Sequence, residues 1–574
     1  MKKISVKLVI AALLFATGLQ AQSLQDGVND YYAERFKSAK STFEKLIAAN
    51  PNNIEANYWL GQTFIGMEDV AAAKAHYEKA LLASANAPLL LVGMGQVELM
   101  QNKPSEARQR FETALTMTRG KKSDDPEIQN AIGRAITEVY SDKEKKGDIN
   151  WAIQLLTGAS EQKIKNKRLL AEIYLNLANA HRKAKPGEAG GIAFQTYQRA
   201  IEEDPNFPVP YYRIAQLFNS QRNWDLYEKY LKDAVSKDER FAPAYYDLYR
   251  LALLGKRDFV AAEEYAKKYN AGADPDPQND YLRIQTLWAK KDFDQAIAGA
   301  ENIIAQNGKN AKARNYKLIA DSYLQKKDTA KAKQYIDEYF VRQKSEEVLP
   351  NDYEMKAAIY SVIPGQEDIV YNSYLEAARL DTTLEGKTEI LKNAATLFRN
   401  KNMREVEGDV LTELVKLKSN PSINELYDVM RAYYFGEAYD KSYAAAIKFT
   451  EKYPDEIYGW EFRHYNSKVL DTAKVDSIAV PDAIQLLTAS EKDTVKFKTQ
   501  YIRAASFLAI AYANKLSDPE KAIEYLKKWQ SMDPANSENI QKNIDILSQA
   551  LKSQNKTGSS SSNRTQSGSS SSGG

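Results

Sequence analysis

Cysteine is absent from the 574 residues. That excludes disulfides, thiolate catalysis, Cys-ligated zinc and a lipid-modified amino-terminal cysteine. Histidine is scarce, and the three present, His76, His181 and His464, are too far apart in sequence for a shared metal or catalytic site in a chain of small repeats. A charge surplus is missing as well, with 79 Lys and Arg against 76 Asp and Glu. Without a global field, nucleic acid and anionic bilayers are disfavoured partners. Beyond the amino terminus the longest apolar run, Ala87 to Gly95, is only about half of the ~20 residues that a membrane span requires. Strand signals are lacking throughout. So are the phosphate loop G-x-x-x-x-G-K-[ST], H-E-x-x-H and the G-x-S-x-G elbow. Gly93-Met94-Gly95 comes nearest to a phosphate loop, but it lies inside a helical segment. The sequence therefore gives no catalytic residue, no cofactor and no metal site.

The amino terminus is a separate device. Lys2, Lys3 and Lys7 precede the apolar stretch Leu8 to Ala16, and small residues follow at Gly18 and Ala21. This is the pattern of a secretory signal peptide covering 1–21, with cleavage after Ala21, although Leu19 departs from the usual small residue. Its removal takes away three lysines and no acid, leaving the mature chain neutral. The expected product is exported, periplasmic and not lipid-anchored, with a peripheral outer-membrane position as the alternative.

The most informative stretch is Ile54 to Asn86. Leu60, Gly61 and Phe64 share one helical face, and Ala73, Tyr77 and Ala80 share a second after a turn. The same chemistry returns 34 residues later, with Gly95 for Gly61, Ala107 for Ala73, Phe111 for Tyr77 and Ala114 for Ala80. This pattern resembles the tetratricopeptide repeat, in which a small residue lets two helices approach, an aromatic fills the adjoining space and a proline ends the second helix. Degenerate versions recur along the chain: Gly27, Ala39 and Phe43; Gly133, Ala152 and Leu156; Ala178, Tyr197 and Ala200; Ala215, Leu231 and Ala234; Leu248, Ala252 and Tyr265; and, near the end, Ala509, Ala522 and Leu526. The resemblance implies an all-α, right-handed solenoid of about fourteen helical hairpins. One hairpin cannot bury its apolar face alone, so neighbours stack into a continuous core.

The expected organisation is an amino-terminal array over 22–270, a more degenerate array with a capping helix over 271–552, and a disordered Ser/Gly-rich tail over 553–574. The joint is placed at Asn270 to Asp280, which carries two prolines and three aspartates, with a second at Lys344 to Asp352. Insertions appear at Ser141 to Asp148 and at Ser467 to Pro481.

Tyrosine is the one enrichment, 36 against 18 Phe, and most tyrosines suit large packing positions. In the family pattern the fifth residue of the first helix faces the groove. Here that place is held by Tyr58, Tyr212 and Tyr246, the last two in consecutive repeats. Gln216 and Arg250 lie four residues further along the same faces, with Asn219 nearby. These six residues are the candidate partner-binding set, acting by stacking and hydrogen bonding. The resemblance implies a non-enzymatic scaffold that binds other envelope proteins. Two other classes stand beside it: glycan or peptidoglycan binding through the aromatic groove, and an enzyme whose site lies in the 467–481 insert, with Asp471, Lys474 and Asp476.

Overall fold

In the computed structural model, residues 24–120, 123–471 and 477–561 are described, with side chains to 553. The signal segment, Lys474, Asp476 and the end of the tail lie outside them. Among the described residues there is no strand, only an isolated bridge between Ser141 and Lys146 that closes the first insertion. No described helix is long and apolar enough to cross a membrane.

The chain divides into two compact units, one ending at Asp328 and the other beginning at Thr329. The joint expected from the sequence, 270–280, lies inside the first of these units. Pro277–Asp280 is a 3-10 turn that leads straight into the next hairpin, so the prolines shape a corner within one body. The observed division falls in the turn between two helices, Arg314–Gln325 and Thr329–Arg342.

The first unit starts with α1 (residues 24–32) and α2 (Phe36–Ala49). Then come α3 (Ile54–Gly66), α4 (Val70–Ala83), α5 (Pro88–Met100), α6 (Pro104–Thr118), α7 (Pro126–Val139) and α8 (Ile149–Ser160). Next are α9 (Lys167–Ala184), α10 (Gly190–Glu203), α11 (Pro208–Ser220) and α12 (Trp224–Lys237). The unit closes with α13 (Ala242–Arg250), which runs into a π-helix (Leu251–Lys256), then α14 (Phe259–Gly272), α15 (Tyr281–Ala289), α16 (Phe293–Asn307) and α17 (Arg314–Gln325).

The small-residue rule is visible in the packing. A Cβ at Gly95 would lie 2.5 Å from the ring of Phe111, and one at Gly61 would overlap Tyr77 outright. Tyr77 is fully buried between two glycines, Gly61 of its own hairpin and Gly93 of the next. Gly93 is thus a packing residue like Gly95.

The hairpin of α13 and α14 inverts that rule. Ile214 and Ala215 recur 34 residues later as Leu248 and Tyr249, but buried Tyr227 and Leu231 recur 35 later as Ala262 and Ala266. The large residue has moved to the first helix and the small ones to the second, conserving volume. The extra residue is absorbed by the π turn. This shifts the second helix by one place, so Ala266, and not the expected Tyr265, is the buried residue.

The unit also closes on itself. Arg35, which is buried, donates from Nη1 to the carbonyls of Arg240 (2.9 Å) and Gly272 (3.4 Å). The Asp274 carboxylate accepts from the amides of Lys37 (2.6 Å) and Ser38 (3.1 Å) and from the Ser38 hydroxyl (2.6 Å). It thereby caps α2, whose own N-cap residue, Arg35, provides no side-chain cap. Gly272 allows this approach, since a Cβ there would lie 2.8 Å from the Arg240 carbonyl oxygen. Inside the closure α1 packs on distant helices: the Tyr32 and Phe207 rings are 5.3 Å apart and Arg168 reaches Asn29.

The second unit contains α18 (Thr329–Arg342), α19 (Pro350–Ser361), α20 (Glu367–Leu380), α21 (Leu384–Asn400), α22 (Arg404–Lys416) and α23 (Ile423–Phe435). It continues with α24 (Tyr439–Lys452), α25 (Ile457–Leu470), α26 (Ala479–Glu491), α27 (Lys498–Asn514), α28 (Pro519–Met532) and α29 (Ser537–Ser561). Helix α29 packs Ile540 and Ile544 onto Ala509 and Leu526, the place expected of the capping helix. It continues to Ser561, so the first residues of the segment read as a disordered tail are helical.

Candidate functional site

The six candidate groove residues separate into different environments. Tyr58 is buried, its ring is 5.6 Å from Trp59 and its hydroxyl accepts a hydrogen bond from Arg134 Nη2 at 2.8 Å. It is not on an open wall, because Arg134 of α7 covers its hydroxyl and Tyr31 of α1 lies 5.2 Å from neighbouring Trp59.

Tyr212, Gln216 and Asn219 converge on an acid that the sequence did not single out. Asp247 is buried on α13, and its Oδ2 accepts from Gln216 Nε2 at 2.5 Å. Burial raises its carboxyl above the ordinary value, and hydrogen bonds from Gln216 and Tyr212 pull it back. The Tyr212 hydroxyl is itself raised by burial and by the Asp247 charge, and its ring meets Phe241 edge-on at 5.6 Å. Asn219 Nδ2 lies 3.4 Å from Gln216 Oε1. Tyr212 and Gln216 therefore hold an internal network whose centre is Asp247.

Tyr246 and Arg250 are exposed. Tyr246 leans on Tyr269, with ring centroids 5.9 Å apart. Arg250 and Asn219 line a cleft of about 420 Å³ together with Trp224, Tyr227, Leu251 and Leu254. Trp224 is 49% and Leu254 63% exposed, although both are large and apolar. Leu254 is carried by the π-helix, so the inserted residue that the repeat pattern hides also builds one wall of this cleft.

The remaining candidates have structural roles. His76 Nε2 pairs with the Asn57 carbonyl oxygen at 3.0 Å, and burial lowers its pKa. His181 is likewise lowered by burial. His464 is fully buried with neither ring nitrogen paired, and loss of hydration brings it to about 3. Among the described residues no group of three or more His, Cys, Asp or Glu could hold a metal ion. Asp471 Oδ2 accepts from the amides of Ile478 (2.7 Å) and Ala479 (2.9 Å), which ties down the start of α26.

An aromatic group in the second unit was not anticipated. Tyr427 lies 5.4 Å from Tyr458 and 5.6 Å from Phe462, and Tyr434 is 5.6 Å from both Phe462 and Tyr465. Tyr458 is 45% and neighbouring Phe435 62% exposed. These rings come from two successive first helices, α23 and α25.

The hairpins, their small-residue contacts and the surfaces just described define an all-α, tetratricopeptide-like helical solenoid, a fold whose work is protein–protein interaction. Residues 27–88 match the family model of the tetratricopeptide repeat. Among solved structures, a tetratricopeptide repeat protein from Parabacteroides merdae is 15% identical, covering 46% of this chain and 98% of its own, with a TM-score of 0.37. The C-terminal part of a repeat-containing protein from Cytophaga hutchinsonii is 21% identical over 46% of this chain and 98% of its own, with a TM-score of 0.25. Yeast Tom70 is 14% identical over 74% and 96%, with a TM-score of 0.33. A search of the curated proteins gives no match.

Proposed function

We propose that this protein is a non-enzymatic scaffold of the bacterial cell envelope that holds a segment of a partner protein on its first unit. The observation that carries this reading is the cleft between α11–α12 and the π-helix, where Trp224 and Leu254 stand exposed beside Arg250. A leucine and a tryptophan left in water at one cleft fit the anchor pocket of an interface, and an arginine at the rim fits hydrogen bonding to a partner's backbone or carboxylate. The occupant is an extended segment or helix that inserts one apolar side chain between Trp224 and Leu254. Export to the periplasm rests on the leader-like residues 1–21 and belongs to the same reading.

The test places a photo-crosslinking residue at Trp224 in cells and compares it with one at Leu82, an exposed leucine elsewhere in the unit. One discrete adduct from position 224, lost in Leu254→Glu, is the expected result. Equal adducts from both positions, or an adduct indifferent to Leu254→Glu, would sink the proposal.

A second reading, glycan binding, is favoured by the aromatic group of α23 and α25, since exposed tyrosine faces suit sugar rings. Retention on cell-wall material that disappears in Tyr427→Ala with Tyr458→Ala would support it. An enzyme in the 467–481 insert is the least favoured alternative, and Asp471, one of its three residues, accepts hydrogen bonds from the amides of Ile478 and Ala479.

A further inference from the structure

The interior of the first unit holds cations that the protein-binding cleft does not use. The helices α7, α9 and α11 and the 140–142 segment surround a basin of about 590 Å³. Its charged lining is Arg134, Arg182, Lys183 and Arg213 against Glu138 and Asp142. Arg134 is 5% exposed, and its Nη2 is taken by Tyr58 while its Nε, shielded from solvent, makes no hydrogen bond and has only the Glu138 carboxylate at 3.9 Å. The Arg213 Nε is also shielded and unpaired. Neither acid uses up the basin's positive charge. Glu138 sits 3.9 Å from Arg134 and already accepts from Gln96 Nε2 at 2.8 Å, while Asp142 is exposed at the edge. Glu34, from the adjoining cavity, is the further carboxylate within electrostatic reach of Arg213. Lys183 donates to the Glu138 carbonyl oxygen at 3.0 Å. Loss of hydration, reinforced by Arg213, lowers its pKa, although Glu138 opposes this.

Buried guanidinium N–H groups without acceptors are costly, and they are retained where an acceptor arrives from outside. The basin presents two of them, on Arg134 of α7 and Arg213 of α11, and Arg182 of α9 lines the same volume. The four lining cations exceed the two lining carboxylates by two charges, an excess that Glu34 in the adjoining cavity reduces and that a bound anion would offset. Asn179 adds polarity to the wall: its Oδ1 accepts from the Tyr197 hydroxyl at 2.7 Å, which turns its amide nitrogen away from that contact.

We infer that this basin is a binding site for a phosphate dianion, either free or as the monoester group of a small metabolite, with Arg213 and Arg182 as its principal ligands and Arg134 as the floor. The site is independent of the Trp224–Leu254 cleft, so either can fail without the other.

The test is calorimetric titration of the full chain with inorganic phosphate, against sodium chloride at matched ionic strength, with malonate and a phosphomonoester sugar as further arms. Saturable phosphate binding that weakens by roughly tenfold or more in Arg213→Gln, and again in Arg182→Gln, is expected. Arg108→Gln, which removes an arginine from the outer surface, should leave binding intact. A tighter phosphomonoester would assign the source to a metabolite, and equal affinity to the free ion. Circular dichroism of each variant separates a lost site from a lost fold, and Arg182→Gln, at a half-buried position, serves if Arg213→Gln unfolds. No saturable phosphate heat, malonate binding in preference to phosphate, or undiminished binding in well-folded variants would each overturn the inference.

Discussion

At the scale of single residues, His464 is the most exposed to a change of conditions. It is buried against Phe507, with ring centroids 4.9 Å apart, and its folded form stays neutral down to about pH 3. Unfolded, it takes up a proton near pH 6.5. The folded pKa is depressed, and for a base this means that the unfolded chain binds the extra proton. The stability due to neutral His464 is therefore complete above about 6.5 and is lost as the pH falls toward about 3. Between about pH 7 and about pH 4 that amounts to a loss on the order of 3 kcal/mol. His464→Leu should flatten the acid limb of urea-unfolding midpoints for the second unit, and an unchanged slope would refute the assignment. This residue illustrates what sequence reading could and could not reach. Gly61 with Tyr77 and Gly95 with Phe111 were legible because each pair repeats at one spacing, and the same contact physics acts twice. His464 has no such echo. Its burial depends on Phe507 from α27, two helices further on, and no local pattern encodes that. Tyr58 misled for a related reason, since its position in the repeat is that of a groove residue and the contact that covers its hydroxyl comes from Arg134, 76 residues away.

At the scale of the element, the recurring unit is a tight turn with a left-handed residue just before the second helix. Glu68, Asn102, Arg222, Arg257, Lys291, Asn402 and Glu437 all have φ between 54° and 63° or close to it, at 65° for Lys291. None is glycine, so each hairpin carries a strain of roughly 1 kcal/mol. The residue that follows is often a cap: Asp69 accepts from Ala72 N at 2.8 Å, Asn223 from Leu226 N at 3.2 Å and Asp258 from Ala261 N at 3.0 Å. Glu68→Gly should stabilise the first unit by up to about 1 kcal/mol, and Asp69→Ala should destabilise it by about 1 kcal/mol. Thermal unfolding of the two variants checks both signs, and shifts in the same direction would contradict the turn geometry. The π-helix is the element that periodicity concealed. An insertion of one residue in a 34-residue spacing looks like ordinary degeneracy, and the placing of Tyr249 where a small residue is usual and of Ala266 where a large one is usual disguised it further.

At the scale of the whole molecule, each unit is a stack in which most contacts are between neighbours, and the first unit adds a seam between its beginning and its later helices. Asp274 and Arg35 carry that seam. Asp274→Ala should speed amide exchange in α1 and α2 by the equivalent of about 1–2 kcal/mol while leaving α5 to α8 protected. Hydrogen exchange read by mass spectrometry tests this, and uniform protection in the variant would show that the seam is held by other contacts. The seam also sets an order of events. A chain emerging from its amino terminus presents α1 and α2 first, yet their seat on Arg240, Gly272 and Asp274 does not exist until more than two hundred further residues have followed. Neighbouring hairpins can zip together locally in the meantime, because their contacts close short loops. The earliest segment made thus becomes the last to settle, a latch that snaps shut only on a completed coil.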